Sequence, residues 1–335
     1  MRIALDAMGG DFAPGPIVAG AVDAVQANEA LEIVLVGDRD RVQHALGEQQ
    51  NHPRLQVLHT SQVIEMHEKP SVLRTKKDSS IAKCWELMAM RKVDAVVSAG
   101  NTGAVAAAGL FTRLFVKGVK RPGIAVVLPS LRGPVVLLDV GANAVCKPEH
   151  LFQYGVMGSI YAREIVGIDS PKIGLMNIGT EEVKGNDLVR ETHELFRSSH
   201  LKDQFQGNVE GRDLCQGTVN VLVCDGFVGN IVLKVSEGML EMIMKMTTGA
   251  IMGSLENERH LAEQALRKFE NDHHHSSFGG APLLGVDGIC IIAHGGSDQR
   301  AIFNALQRAI QHSDTQLNAL IASDLERSPM PTAAP

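Results

Sequence analysis

Aromatic residues are scarce, making up 4% of the 335-residue chain, and positive charge is not in excess, since the formal net charge is −6. Proteins that bind single-stranded nucleic acid stack bases on aromatic rings, and proteins that bind duplexes neutralise phosphates with lysine and arginine. Neither feature is present across the chain as a whole, so we expect no nucleic-acid partner. An acidic partner would have to meet a local basic patch.

Long apolar runs and paired cysteines are also missing. No stretch of about 18 uncharged apolar residues occurs, so no membrane-spanning helix is predicted. The five cysteines form no C-x-x-C pair and suit a reducing compartment, where they serve as small hydrophobic residues. The first residues, MRIALDAM, already have the pattern of a strand, so we expect no secretory signal. These features predict a cytoplasmic protein.

The sequence lacks the common motifs for cofactors and catalytic nucleophiles. No G-x-G-x-x-G, G-x-x-x-x-G-K-[ST], G-x-S-x-G or H-E-x-x-H occurs. The run His273–His275 has metal-ligating side chains, but it stands beside serines in a polar stretch, and we interpret it as a solvated loop. We therefore expect no metal and no cofactor.

What the sequence does contain is a regular alternation of apolar runs with segments of helical periodicity. The predicted strands are Arg2–Ala7, Glu32–Val36, Leu55–His59, Asp94–Ser98, Gly123–Leu128, Val135–Val140, Lys172–Ile178, Val219–Cys224 and Gly288–Ala293. The predicted helices include Ile17–Ala27, Ser80–Arg91, Ala104–Phe115 and Glu149–Val166. This alternation predicts an α/β protein, a three-layer α/β/α domain with a mostly parallel sheet. We expect one domain over residues 1–325, with a methionine-rich helical tip near 231–260 and a disordered tail over 326–335.

Glycine and small polar residues follow six of the predicted strands, and in open α/β sheets ligands bind beyond the carboxyl ends of strands. The six segments are Asp6–Pro16, Ser98–Ala104, Leu137–His150, Asn177–Gly185, Cys224–Asn230 and His294–Asp298. Any one of them is explained by strand termination or helix capping. Six together predict a single converging polar site.

The most informative of these segments is Leu175–Asp187. A buried strand is predicted to end at Gly179 and Thr180, and a helix to begin near Lys184. Free backbone N–H groups backed by a helix dipole form an anion site, and Lys184 adds a mobile positive charge. The segment therefore predicts a phosphate site.

Seven ordered blocks give the chain a family resemblance: DAMGGDFAP, VSAGNTGA, LLDVGANAVCKPEHLFQYGVMG, GLMNIGTEEVKGND, FQGNVEGRDL, VCDGFVGNIVLKVSEG and GGAPLLGVDGICIIAHG. From Met1 to about Leu320 the sequence resembles the acyl-ACP:phosphate acyltransferase family (PlsX type) of bacterial phospholipid synthesis. The resemblance implies a fold similar to isopropylmalate dehydrogenase and phosphotransacetylase, a homodimer, and loose membrane association. It also implies transfer of a long fatty acyl group from acyl carrier protein to inorganic phosphate. Asn271–Phe278 departs from the family's aromatic loop.

Site residues follow from this resemblance together with the residue chemistry. Lys184 is the expected phosphate anchor and Asn230 the expected donor to the oxyanion or phosphate; a solvated lysine and a helix N-cap are the alternatives. His294 either protonates the leaving thiolate or is structural. The residues expected to bind phosphate or acyl-pantetheine are Asp6, Gly9, Gly10, Ser98, Asn101, Thr102, Asp139, Asn143, Asn177, Gly179, Thr180 and His294.

The stretch Met239–Leu255 is apolar on more than one face of a helix. Met239, Met242, Ile243 and Met246 form its main stripe, which suits either a dimer contact or a surface that contacts acyl chains or lipid. Given the resemblance, the expected partners are acyl carrier protein, inorganic phosphate, a membrane surface and the downstream glycerol-3-phosphate acyltransferase. The expected location is the cytoplasm, peripheral to the inner face of the cell membrane.

Two other functions fit parts of the pattern. One is a phosphotransacetylase-like transfer between acyl-CoA and phosphate, which would have no use for the methionine-rich stretch. The other is a non-catalytic, membrane-bound sensor of acyl carrier protein.

Overall fold

The computed structural model describes residues 1–255, 258–273 and 279–327. Within them, eleven strands form one sheet. They are β1 (Arg2–Asp6), β2 (Glu32–Gly37), β3 (Leu55–His59), β4 (Ala95–Ser98), β5 (Gly123–Leu128), β6 (Val135–Leu138), β7 (Ile173–Met176), β8 (Phe205–Val209), β9 (Val221–Val223), β10 (Ala281–Leu284) and β11 (Ile289–Ile292). Their order across the sheet is β3-β2-β1-β4-β11-β10-β5-β6-β9-β7-β8.

The described helices lie on both faces of this sheet, which confirms the predicted α/β/α layering. They are α1 (Gly15–Ala27), α2 (Arg39–Leu46), α3 (Ser80–Ala89), α4 (Thr102–Thr112), α5 (Pro148–Glu164), α6 (Asp187–Arg197), α7 (Gly211–Gln216), α8 (Gly226–Ser254), α9 (Arg259–His273), α10 (Gln299–Asp314) and α11 (Leu317–Arg327). One face is covered by α1, α2 and α10 over half of the sheet and by α5, α6 and α11 over the other half. The opposite face is covered by α3, α4, α7 and the first turns of α8.

The strands of the sheet form two sets that run in opposite directions. Strands β1, β2, β3, β4, β5 and β11 point one way, because β5 and β11 both pair antiparallel with β10. Strands β6 to β10 point the other way, because β6 pairs antiparallel with β5 and is followed by the parallel strands β9, β7 and β8. Seven of the ten strand pairs are still parallel, as expected.

This reversal corrects the prediction of one converging polar site. The segments after β1, β4 and β11 lie beyond the carboxyl ends of these strands, on the side of the sheet that we call the first edge. The segments after β6, β9 and β7 lie beyond the carboxyl ends of those strands, on the opposite side of the sheet, which we call the second edge. The six strand ends therefore form two groups of three.

Several element boundaries also differ from the predictions. Helix α6 begins at Asp187 with Asn186 as its N-cap, so Lys184 precedes the helix instead of lying in its first turn. Strands β8 and β10 were not predicted, since β8 is largely polar and β10 has only four residues. Helix α11 continues through Arg327, so the predicted tail cannot begin at 326. Residues 328–335, together with His274 and His275, lie outside the described residues.

Candidate active site

Three loops lie side by side at the second edge, because β6, β9 and β7 are neighbours with aligned ends. Leu138 is level with Val223, and Val223 is level with Leu175. The loop after β7 contains Lys184, and the loop after β9 leads into α8, which contains Asn230. The structure therefore places the two predicted catalytic residues on segments that follow adjacent strands.

The loop after β7 has unused hydrogen-bond donors. In the part of the chain that the structure describes, the backbone N–H groups of residues 179–183 donate to no other group. Lys184 follows them, is exposed and forms no ion pair with another described residue. The side chains of Lys184 and Glu181 fold over Gly179, where an added Cβ would lie 2.8 Å from Glu181 Oε2 and 3.1 Å from Lys184 Cγ. Five free donors and one cation make this loop suited to an anion.

The predicted helix dipole is not part of this arrangement. Helix α6 starts three residues beyond Lys184, and its N-terminus is capped by the Asn186 side chain, which accepts from Val189 N. Arg190 also bonds the carbonyl of Gly185. Any anion affinity at Gly179 and Thr180 must therefore come from loop N–H groups and Lys184.

Asn177 shapes this loop instead of pointing outward as a ligand. Its Nδ2 donates to the carbonyl of Lys184 at 3.1 Å, and its Oδ1 accepts from Ile178 N at 2.8 Å. Gly185 has φ +91, and an added Cβ there would lie 2.6 Å from Asn177 Oδ1. The Asn177 side chain thus ties the two ends of the loop together and leaves the N–H groups between them free.

Asn230 lies in the second turn of α8, which excludes the alternative that it caps the helix. The cap is Asp225, whose Oδ1 accepts from Phe227 N and Val228 N. The Asn230 side chain is exposed, and its amide has no hydrogen-bond partner among the described residues. It lies against Gly141, where an added Cβ would be 3.8 Å from Asn230 Cβ. A free amide is therefore presented beside the loop that follows β6.

Asp139 and Asn143 hold that loop in shape and are not available to a substrate. The Asp139 carboxylate accepts from the backbone N–H groups of Ile124, Gly141, Ala142 and Asn143, and from Asn143 Nδ2. Asn143 Nδ2 also donates to Pro122 O at 2.7 Å. Burial raises the pKa of Asp139, while the backbone hydrogen bonds lower it. Because these hydrogen bonds saturate the carboxylate, the predicted contact of Asp139 with phosphate or acyl-pantetheine is corrected to a structural role.

At the first edge, Asp6 and Ser98 are fully buried and bonded to each other. Ser98 Oγ donates to Asp6 Oδ2 at 2.7 Å, and burial raises the pKa of Asp6. An added Cβ on Gly9 would lie 2.6 Å from Asp6 Oδ2, and one on Gly10 would lie 2.9 Å from Gly295 O. These four residues pack the three loops of the first edge against one another. Their predicted direct contact with substrate is therefore corrected to a structural role.

Asn101 caps α4 and anchors a neighbouring loop. Its Oδ1 accepts from Ala104 N, and its Nδ2 donates to the carbonyls of Glu65, Met66 and Glu68. The Asn101 amide is therefore not free for phosphate, contrary to our expectation. Thr102, the next residue, is exposed.

A groove, here called the β5–α8 groove, connects the two edges across the face of the sheet. Its volume is about 190 Å³, and most of its lining is apolar. Of the predicted residues it brings together Asn230, Thr102 and His294. Sequence reasoning missed this groove because β5 is apolar on both faces, so its pattern does not show which of its side chains line a groove.

His294 lies far from Asn230 along this groove. Asn230 lies against Gly141, in the loop that follows β6. Asp139 in the same loop accepts a hydrogen bond from Ile124 N, so Asn230 lies near the Ile124 end of β5. Strand β10 pairs Leu283 with Ile124 of β5 and Ala281 with Ile292 of β11. This register places His294, two residues after Ile292, level with Leu128 at the other end of β5. The distance from Ile124 to Leu128 is about 13 Å in an extended strand. His294 therefore cannot protonate a thiolate held at Asn230, and its Nδ1 accepts from Gly296 N.

The chain is similar to known proteins over almost its whole length. A family model described as fatty acid synthesis protein matches residues 1–320. A phosphate acyltransferase of Geotalea uraniireducens (strain Rf4) is 46% identical over 98% of this chain and 95% of its own. One of Dictyoglomus turgidum (strain DSM 6724 / Z-1310) is 44% identical over 98% of both chains.

The chain belongs to the phosphate acyltransferase family. As a member of this family it is an acyltransferase enzyme. The fold is shared with solved enzymes of lower sequence similarity. A phosphotransacetylase from Streptococcus pyogenes superposes with a TM-score of 0.64 at 15% identity, covering 95% of this chain and 94% of its own. A branched-chain phosphotransacylase from Enterococcus faecalis V583 gives 0.55 at 13% identity, covering 92% of this chain and 98% of its own.

Within this acyltransferase, the predicted methionine-rich stripe is exposed. Met239 and Met242 are each nearly half exposed, Ile243 is 50% exposed and Met246 is 67% exposed. Only Gly226 and Gly229 of the 29-residue helix α8 are buried by the described chain. None of the described helices has the length and apolarity needed to cross a bilayer. Nor do the described residues contain a cluster of three or more histidines, cysteines and acids suited to a metal ion.

Proposed function

We propose that the protein transfers a long-chain fatty acyl group from acyl carrier protein to inorganic phosphate, giving acyl phosphate. The observation that supports this is the loop after β7, where five free N–H groups and Lys184 stand beside the segment that presents the free amide of Asn230. The names of the relatives support phosphate as the acceptor. The proposal needs no resident cofactor.

The reaction proceeds by direct attack. A phosphate oxygen, held by the Gly179–Val183 N–H groups and Lys184, forms a bond to the thioester carbonyl carbon. Asn230 Nδ2 donates to the oxyanion that develops on the carbonyl oxygen. The C–S bond then breaks, and the proton of hydrogen phosphate ends on the carrier thiol, directly or through water.

No acylated side chain is required in this mechanism. A thioester is already activated, and phosphate is a competent nucleophile when it is held next to the carbonyl. The cysteine thiols nearest the second edge are unsuited to nucleophilic attack, because burial raises the pKa of Cys224 well above its usual value and that of Cys146 to about 11.

The acyl phosphate product would be amphiphilic, with an apolar chain and a charged phosphate, so release at a bilayer would favour its use in phospholipid synthesis. We propose that the exposed stripe of α8 contacts either the membrane surface or a second copy in a homodimer, with the protein otherwise cytoplasmic and peripheral to the inner face of the membrane. A downstream glycerol-3-phosphate acyltransferase would then consume the product.

A second candidate is transfer between a short acyl-CoA and phosphate. The structural similarity to phosphotransacetylases favours it, because the fold is shared over more than 90% of both chains. The β5–α8 groove and the exposed α8 stripe favour the long-chain function, since a short acyl group would use neither.

The test is to incubate the protein with long-chain acyl carrier protein, with and without phosphate, and to trap acyl phosphate with hydroxylamine. We expect hydroxamate to form only with phosphate. Hydrolysis without phosphate, or no turnover, would contradict the proposal, and faster reaction with acetyl-CoA would support the second candidate.

A further inference from the structure

The β5–α8 groove has polar groups at both ends, with Asn230 at one end and Thr102, His294 and Ser297 at the other. Its floor is formed by β5, and its wall by one face of α8 on which Asn230, Leu233, Lys234 and Glu237 recur at helical spacing. Asn230 to Glu237 covers a rise of about 10 Å along the helix, close to the length of the β5 floor. The groove therefore starts beside the proposed thioester position and runs toward the first edge.

The lining is suited to a hydrocarbon chain. Ile124, Val126 and Leu128 contribute apolar side chains from β5, and Leu233 contributes one from α8. Lys234 and Glu237 form an ion pair of 2.9 Å, so their charges neutralise each other while their alkyl stems line the wall. A mostly apolar lining with a few placed polar groups is the usual form of a small-molecule site.

We propose that this groove holds the acyl chain of the substrate and that two small residues, Ala281 and Ala301, limit the chain length. This inference rests on the proposed function, since it takes the thioester carbonyl to lie at Asn230. The chain then extends along β5 toward His294 and ends against the first turn of α10.

The two alanines stand at different depths in the groove. The sheet register places Ala281 level with Val126, about halfway along the floor. Ala301 lies in the first turn of α10, beyond the level of Leu128, where it lines the far end. Neither side chain is fully buried, so a larger residue can be introduced at either position without overpacking a closed core.

The test is a chain-length profile of turnover with acyl carrier protein for Ala281→Leu, Ala301→Phe and the unmodified enzyme. Ala319→Phe, an exposed position on α11, is the matched control. We expect Ala301→Phe to lower kcat/KM for the longest chains relative to short chains roughly tenfold or more, as expected when one or two methylenes lose their pocket. Ala281→Leu should impose a cut-off at a shorter chain length than Ala301→Phe.

The two possible failures can be told apart by a binding experiment. Titration with a fluorescent long-chain fatty acid, followed by emission, reports on the groove without turnover. If no variant transfers acyl groups to phosphate but Ala301→Phe weakens this binding and Ala319→Phe does not, the proposed function fails and the groove assignment stands. Unchanged chain-length profiles in both groove variants, with unchanged fatty-acid binding, would overturn the groove assignment.

Discussion

At the scale of single residues, Lys184 is exposed and makes no ion pair among the described residues, whereas Arg190 and Arg197 on the helix that follows bond nearby carboxylates. An unpaired cation beside five free N–H groups has no evident structural task. This is the physical basis for assigning it to the phosphate.

We expect Lys184→Ala to lower kcat/KM for phosphate about 10²–10³-fold, the loss typical of removing one group that stabilises transition-state charge. Stability should change little, because the lysine makes no ion pair with the described residues. Steady-state kinetics with varied phosphate and a thermal melt measure both effects. Lys202→Ala, which removes another exposed lysine after α6, is the control. Equal activity in the two variants would remove Lys184 from the site.

We expect His312 on α10 to make the folded protein less stable in acid, by an effect that is unrelated to catalysis. It is buried against Tyr161, its Nε2 has no partner among the described residues, and burial lowers its pKa to about 3. Between pH 6.5 and 3 the unfolded chain binds a proton at this histidine and the folded chain does not, so stability falls as the pH falls.

His312 is expected to lower the free energy of unfolding by about 2 kcal/mol at pH 5 relative to neutral pH. The reason is that pH 5 lies about 1.5 units below the ordinary histidine pKa, and each unit contributes about 1.4 kcal/mol. Urea unfolding at pH 7 and pH 5 should therefore show a smaller pH effect in His312→Phe than in the unmodified protein. The exposed residue His44 supplies the control His44→Phe. A pH dependence that is the same in all three proteins would contradict the assignment.

At the scale of elements, α8 joins the candidate site to the exposed apolar stripe. Its start is fixed by close contact with the β6 loop, since an added Cβ on Gly229 would lie 1.9 Å from Asp139 O. Its later turns are largely uncovered by the described chain. The sequence pattern predicted the apolar stripe correctly, but it could not decide what covers it, because a second copy and a lipid surface both favour exposed methionine and isoleucine.

Replacing Ile243 and Met246 together with aspartate should reduce the fraction of protein that floats with liposomes, because two charges would have to enter the lipid interface. Thr247→Asp with Ser254→Asp places the same charges at exposed polar positions of α8 and is the control. Retained flotation with conversion to monomer, measured by light scattering, would favour the dimer contact over the lipid contact.

At the scale of the whole molecule, the sequence predicted the layers and most strands, because buried strands are apolar and helices show their periodicity. It did not predict the reversal of the sheet. The link between Leu128 and Val135 has six residues, and that between Leu284 and Ile289 has four. Parallel neighbours need a connection of a dozen residues or more, so these short links were the missed signal.

The candidate site was predictable only in part, because one type of side chain can serve two purposes. Glycine, asparagine and aspartate serve equally well as ligands and as loop anchors. Asp139, Asn101 and Asn177 turned out to anchor loops, and only their hydrogen-bond partners reveal this. The side chains of Lys184 and Asn230 differ from them in having no hydrogen-bond or ion-pair partner among the described residues.

The most direct test of the account is a rapid-quench experiment without phosphate. The enzyme is mixed with a stoichiometric amount of long-chain acyl carrier protein, quenched within milliseconds to seconds, and the mass of the intact chain and the free carrier thiol are measured. Direct attack predicts no acylated chain and no thiol release until phosphate is added. A stoichiometric acyl adduct on the chain, formed before phosphate is added, would contradict it.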